Sequence, residues 1–225
     1  EPEDGIPDEG SIGAPATAKN GLAIGASRNV DDPGNGPNGR AYSSSVGPVD
    51  SSLRIAPQLM APGDEYGGGT LGLSSEFACR SSDNDQENPV ECDVLTGVEG
   101  TSFASPAAAG AALLVRDYFA QGFYPDGTSS NPGNAGDLRP TISGSLLKSV
   151  LIASAEFMTG GWTYRPWRFN IEQGYGRIEL DNALPLETWP ASPSGLIVVD
   201  GDQGFGNLSG LDGTMNMITG GTPLT

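Results

Sequence analysis

Residues 103–115 hold no charged side chain on any face, and Gly100-Thr101-Ser102 leads straight into them. Alanine, the strongest helix former, dominates the run. Pro106 falls in the first turn, where a missing N–H is tolerated. Gly100 lets backbone approach closely, and Thr101 and Ser102 offer helix-capping hydroxyls. The reading is a helix from Thr101 to about Gln121. With no polar stripe, it is expected to be buried on all sides, which requires a layered domain around it.

A serine at the start of such a helix lies at the positive end of the macrodipole, among unpaired N–H groups. Both stabilise negative charge developing on an attacked carbonyl oxygen. Ser102 is therefore a candidate nucleophile. The alternative is a capped structural helix, and this segment alone leaves the two readings balanced.

Elsewhere, strands are expected over residues 22–27, 53–59 and 93–98, the last feeding Ser102. Residues 143–155 place Leu146, Leu147, Val150, Leu151 and Ala155 on one side of a second helix. Residues 124–140, rich in Gly, Asn, Ser and Pro, read as a surface connection. The aromatic group Trp162, Tyr164, Trp167 and Phe169 reads as an edge hairpin rather than a carbohydrate platform. The fold class is α/β, a parallel β-sheet flanked by helices. After Leu186 the character changes: residues 195–199 and 215–219 read as strands between glycine-rich turns. The expected organisation is one domain over 1–186 and the start of a β-rich, jelly-roll-like module over 187–225.

Gly100-Thr101-Ser102-Phe103-Ala104-Ser105-Pro106 resembles the nucleophile motif of the subtilisin-like serine proteases, the subtilases, with Ser102 on the catalytic serine. Further blocks follow that family's order. Residues 15–27, from Pro15-Ala16-Thr17-Ala18-Lys19-Asn20 to Gly25-Ala26-Ser27, resemble one of its strands. Tyr42-Ser43-Ser44-Ser45-Val46-Gly47-Pro48 and Arg54-Ile55-Ala56-Pro57-Gln58 to Ala61-Pro62-Gly63 are similar to the block before the serine. Residues 145–152 and Gln173-Gly174-Tyr175-Gly176-Arg177-Ile178 resemble its close. The likeness covers roughly residues 10 to 185.

The resemblance implies peptide-bond hydrolysis through an acyl-enzyme on Ser102, acting on protein or peptide substrates. The Ser102 N–H and the Thr101 side chain are the candidate oxyanion donors. The turn over residues 13–16 implies a place for Ala14 and Pro15 beside the primary specificity pocket, with a cis bond between them. Gln58 departs from the acid usual in the family, and Tyr42 from its Phe. The larger departure is that the chain contains no histidine, so it holds no Ser-His-Asp triad of its own. In subtilases the acid and base precede the serine. The expectation is that both, with the oxyanion asparagine, lie on polypeptide upstream of Glu1, and that these 225 residues alone are inactive. The alternative is a degenerate, non-catalytic subtilase domain serving as a secreted binding or structural module.

Lys+Arg number 11 against Asp+Glu 28, a formal charge of −17. That surface repels polyanions, so nucleic acid is not expected as a partner. The apolar run over residues 107–115 is too short to span a membrane. Cys79 and Cys92 flank an acidic insertion, and the preferred reading is a disulfide in an exported, monomeric enzyme. Asp83, Asp85 and Glu87 alternate like the start of a calcium loop. Asn88 at the glycine position and Val94 at the final glutamate position reject an EF-hand. Looser structural calcium, there or at Asp200 and Asp202, is left open; catalysis needs no cofactor. Ser145-Leu146-Leu147-Lys148 and Ser82-Asp83-Asn84 match penicillin-binding signatures, but in the wrong order and without Lys-Thr-Gly. Ala104 occupies the glycine position of an α/β-hydrolase elbow and rejects that reading too.

Overall fold

The computed structural model describes residues 8–28, 38–49, 53–64, 99–124, 127–128, 138–160, 165–186, 198, 218–219 and 222–223. The chain divides into two compact units, Glu1–Ala107 with Phe157–Arg177, and Ala108–Glu156 with Ile178–Thr225.

In the first unit, β1 (Ile24–Ser27) and β2 (Leu59–Pro62) run parallel, with Ile24 opposite Leu59 and Ser27 opposite Pro62. Gly25, Ala26 and Ser27 are buried, as are Leu59, Met60 and Ala61, the two-sided burial expected of parallel strands. Close packing dictates the small residues of β1. A Cβ at Gly25 would stand 2.5 Å from Met60 Sδ and 2.9 Å from Pro57 Cγ.

The second strand begins at Leu59, where the sequence reading had it end. Leu53 sits in the left-handed region at φ 54°, and Pro57 has no N–H to give a ladder, so residues 53–58 are irregular, with a single bridge from Arg54 to Val49. The other edge of β1 is held by residues 39–41: Arg28 N–H donates to Gly39 O at 2.9 Å and Ala41 N–H to Ala26 O at 2.8 Å. Arg40, 1% exposed, donates from Nη1 to the carbonyls of Ser44 at 2.5 Å and Ala41 at 3.2 Å.

Residues 170–177 close over β2. Met60 N–H donates to Gly176 O at 2.8 Å, and Tyr175 N–H to Gln58 O at 2.9 Å. Gly174, at φ 59°, comes so near that a Cβ would collide with the carbonyl oxygens of Pro57 and Gln58. Asn170 and Gly174 make an isolated bridge rather than a longer ladder among the described residues. Trp167 and Phe169 are exposed there, while Trp162 and Tyr164 lie outside the described residues.

The helix α1 spans Thr101–Ala120. Its burial departs from the sequence expectation. Ala104, Ala108, Val115, Tyr118 and Phe119 are buried, but Ala109 is exposed, and Leu113 and Leu114 are 64% and 62% exposed. Lack of charge permits burial on all sides without enforcing it. Ala, Gly and Ser carry little apolar area, so leaving them wet costs little.

In the second unit, α2 (Gly144–Ala153) starts where Ser143 Oγ accepts the Leu146 N–H at 2.9 Å, and it buries Leu146, Val150 and Leu151. It is shorter than the expected 143–155 because Ser154 caps it. Ser154 Oγ donates to Leu151 O at 2.9 Å, and Asn182 Nδ2 donates to Ser154 O at 3.2 Å. A short 3-10 turn, Leu180–Asn182, follows. Tyr118, Phe119, Phe123 and Tyr124 pack as an aromatic group, and Tyr118 Oη donates to Pro185 O at 2.9 Å. Beyond residue 186, the described residues include Val198 and an antiparallel pair, β3 (Ile218–Thr219) and β4 (Thr222–Pro223). No helix among the described residues is long and apolar enough to cross a membrane.

Candidate active site

The turn that launches α1 is anchored at the carboxyl ends of β1 and β2. Gly63, directly after β2, donates its N–H to Ser27 O at 3.0 Å, and Gly100 donates to Gly63 O at 2.6 Å. A Cβ at Gly63 would lie 2.7 Å from Gly100 O and 3.0 Å from Cβ of both Ala104 and Ala26. Only glycine lets the incoming turn approach this closely. Gly100 itself has φ 130°, a conformation that side chains avoid. Phe103 N–H donates to Gly100 O at 3.0 Å, closing the first turn. Ser102 is the second helical residue and is exposed, as is Thr101. The carboxyl ends of parallel strands are where open α/β sheets place their ligand sites.

Beside this helix start lies a cavity of about 210 Å3. Thr101 lines it together with Ala14 and Pro15, so three residues picked from sequence meet around one space. Gly13, Ser44 and Ser45 contribute further wall, and no lining residue is charged. The Ala14–Pro15 bond is cis. Ser44 Oγ accepts the Ala26 N–H at 3.0 Å, which ties this wall to β1.

Residues 3–182 match the model of the subtilase family. The chain belongs to the subtilase family. This subtilase is 28% identical over 180 residues to the serine protease/ABC transporter B family protein tagB of Dictyostelium discoideum, covering 70% of this chain and 8% of that protein. It is 32% identical over 163 residues to tagD of the same family and organism, covering 67% of this chain and 8% of that protein. It therefore spans about a twelfth of the length of these relatives. Among solved structures it is similar to the Clostridium perfringens CspB protease, with TM-score 0.47 and 24% identity over 77% of this chain and 28% of that one.

Two polar groups in the first unit were not singled out as structural from the sequence. Gln58, noted only as a departure, accepts the Ala23 N–H on Oε1 at 2.6 Å while Nε2 donates to Ile55 O at 3.2 Å. The amide thus keeps the acceptor a carboxylate would supply and adds a donor. The second is the group around Glu172, which is fully buried. Its carboxylate takes Arg165 Nη1 at 2.7 Å and the Arg165 N–H at 3.1 Å. Asn170 Oδ1 accepts the Glu172 and Gln173 N–H groups at 2.9 and 3.1 Å, and the Gln173 amide exchanges bonds with the Met158 backbone at 2.7 and 2.9 Å. The visible signal was Asn-x-Glu-Gln-Gly-x-Gly, polar residues amid glycine punctuation.

Cys79, Cys92, Asp83, Asp85, Glu87, Asp200, Asp202 and the expected strand over 93–98 lie outside the described residues. The subtilase chain has no histidine at any position.

Proposed function

We propose that this chain carries the nucleophile of a serine endopeptidase, with Ser102 as its attacking group. The observation that supports the reading is an exposed Ser102 in the first turn of a 20-residue helix, next to a cavity bordered by Thr101, Ala14 and Pro15. Ser102 Oγ adds to the scissile carbonyl carbon and passes its proton to a general base. Collapse of the tetrahedral intermediate expels the amine, which takes that proton, and water then hydrolyses the acyl-enzyme. The Ser102 N–H, at the positive end of α1, and the Thr101 hydroxyl face the developing oxyanion.

The base is a histidine, oriented by an aspartate, supplied by polypeptide outside these 225 residues. No residue lining the cavity is charged, which favours an uncharged substrate side chain over a charged one. Export, a Cys79–Cys92 disulfide, structural calcium, a monomeric state and a β-rich module over residues 187–225 belong to the same reading. It rests for these on the acidic composition and the family likeness.

One observation favours a second reading, a non-catalytic subtilase domain kept as a binding module: no histidine is present. A fluorophosphonate probe applied to the full-length gene product, with the adduct mapped by mass spectrometry, separates the two. Labelling of Ser102 that Ser102→Ala abolishes supports the protease, and unlabelled Ser102 in folded full-length protein defeats it.

A further inference from the structure

Three backbone hydrogen bonds run in series from the end of β1 to the start of α1. Ser27 O accepts the Gly63 N–H at 3.0 Å, Gly63 O accepts the Gly100 N–H at 2.6 Å, and Gly100 O accepts the Phe103 N–H at 3.0 Å. Ser102 lies between Gly100 and Phe103, so its main chain goes where this series puts it. The series begins at a weak place. Ser27 and Pro62 are the last paired residues of the two strands, proline has no N–H to give, and the end of a ladder opens at little cost.

A charge follows each strand end. Arg28 comes directly after Ser27, and Asp64 directly after Gly63. Arg28 Nε stands 3.5 Å from Asp64 Oδ2, and the two side chains are only 14% and 9% exposed. That Nε makes no hydrogen bond, so its link to Asp64 is Coulombic, and the low exposure leaves little water to screen it. Arg28 is itself fixed to the neighbouring segment, its N–H donating to Gly39 O at 2.9 Å. Ser27 Oγ is fully buried without a hydrogen-bond partner, so that hydroxyl adds no tie of its own.

A pair so far out of water repays its desolvation poorly as stability. What it supplies at this place is a fixed separation between the residues on either side of the Ser27 to Gly63 bond. Slackening that separation loosens Gly63, and through Gly63 O it loosens the Gly100 N–H and the turn that presents Ser102.

We infer that Arg28 and Asp64 are positioning residues for Ser102, their charge pair holding the ends of β1 and β2 at the separation that the series from Ser27 through Gly63 to Gly100 needs. They act through the backbone of Gly63 and Gly100 rather than on reacting atoms. The inference rests on the reading of Ser102 as the nucleophile.

Amide hydrogen exchange of the 225-residue chain, followed by NMR, reads the series at Gly100. Asp64→Asn keeps the shape and removes the charge, and it speeds exchange of the Gly100 amide about tenfold. The Tyr175 amide, bonded to Gln58 O in the same unit, keeps its rate. Arg28→Lys retains a cation and most of the protection at Gly100. The double variant Arg28→Met with Asp64→Leu strands no charge and decides the matter should Asp64→Asn fail to fold: its urea midpoint stays near that of wild type while its Gly100 amide still exchanges fast. In the full-length gene product, Asp64→Asn lowers the maximal rate of fluorophosphonate labelling at Ser102 by about the same factor and leaves the half-saturating probe concentration unchanged. Loss of folded protein would lower the labelled fraction instead. Unchanged Gly100 exchange in Asp64→Asn or the double variant, equal acceleration at Gly100 and Tyr175, or a Gly100 amide as fast in Arg28→Lys as in Asp64→Asn overturns the proposal. If wild-type full-length protein is not labelled, the protease reading falls, and the exchange rates still decide whether the pair holds the series.

Discussion

Gly100 donates its backbone N–H to the carbonyl oxygen of Gly63 at 2.6 Å, and this one bond fastens the turn before Ser102 to the end of β2. The bond needs both residues to be nearly bare. A methyl group at Gly63 would stand 2.7 Å from Gly100 O and 3.0 Å from Ala104 Cβ. Gly63→Ala is therefore expected to cost about 1–3 kcal/mol in urea unfolding. In the full-length protein it should also slow fluorophosphonate labelling of Ser102, because the helix start must shift to make room. Unchanged stability and labelling would show that the turn is not held here.

Gln58 ties Ala23, the residue before β1, to Ile55 in the segment before β2 through both ends of its amide. Gln58→Leu removes the acceptor for Ala23 N–H and is expected to lower stability by about 1–3 kcal/mol. Gln58→Glu retains that acceptor and should lose less. Urea midpoints of the two variants, compared at neutral pH, give the order.

Arg165 and Glu172 form an ion pair at 2.7 Å in which the acid is fully buried. Arg165→Met strands a buried carboxylate and is expected to destabilise by about 3–5 kcal/mol. The double variant Arg165→Met with Glu172→Leu should cost less than that single change, because no charge remains to be solvated. A double-mutant cycle by denaturant titration measures the difference.

Ser143 caps α2 by accepting the Leu146 N–H. Ser143→Ala is expected to cost about 1 kcal/mol, and Ser143→Asp to recover most of it, since Asp caps comparably. Thermal unfolding by circular dichroism checks both.

The two sides of α1 should respond differently. Val115 is fully buried, so Val115→Ala is expected to cost about 1–3 kcal/mol. Leu113, 64% exposed, should tolerate Leu113→Gln within about 0.5 kcal/mol in this chain. Equal losses at the two positions would contradict the burial pattern.

The features legible without a structure are those set within a few residues of themselves. The start of α1 at Thr101 follows from Gly100 and Pro106, and the body of α2 from its apolar helical stripe. The subtilase family was readable from contiguous motifs that the match over residues 3–182 covers. The composition alone settles that the chain holds no histidine.

Tertiary structure decided what depends on neighbours distant in the chain. An uncharged helix looks buried from its sequence, yet only the elements packed against α1 determine that Val115 is covered and Leu113 is not. Strand β2 starts at Leu59 because its partner Ile24, thirty-five residues earlier, sets the register, and because Leu53 adopts a left-handed conformation that no pattern announces. Ala14, Pro15 and Thr101 border one cavity, and Leu114 and Asp181, far apart in sequence, border another. Local propensity acts over one turn of helix, whereas burial and cavity shape are sums over contacts that exist only once the chain has closed on itself.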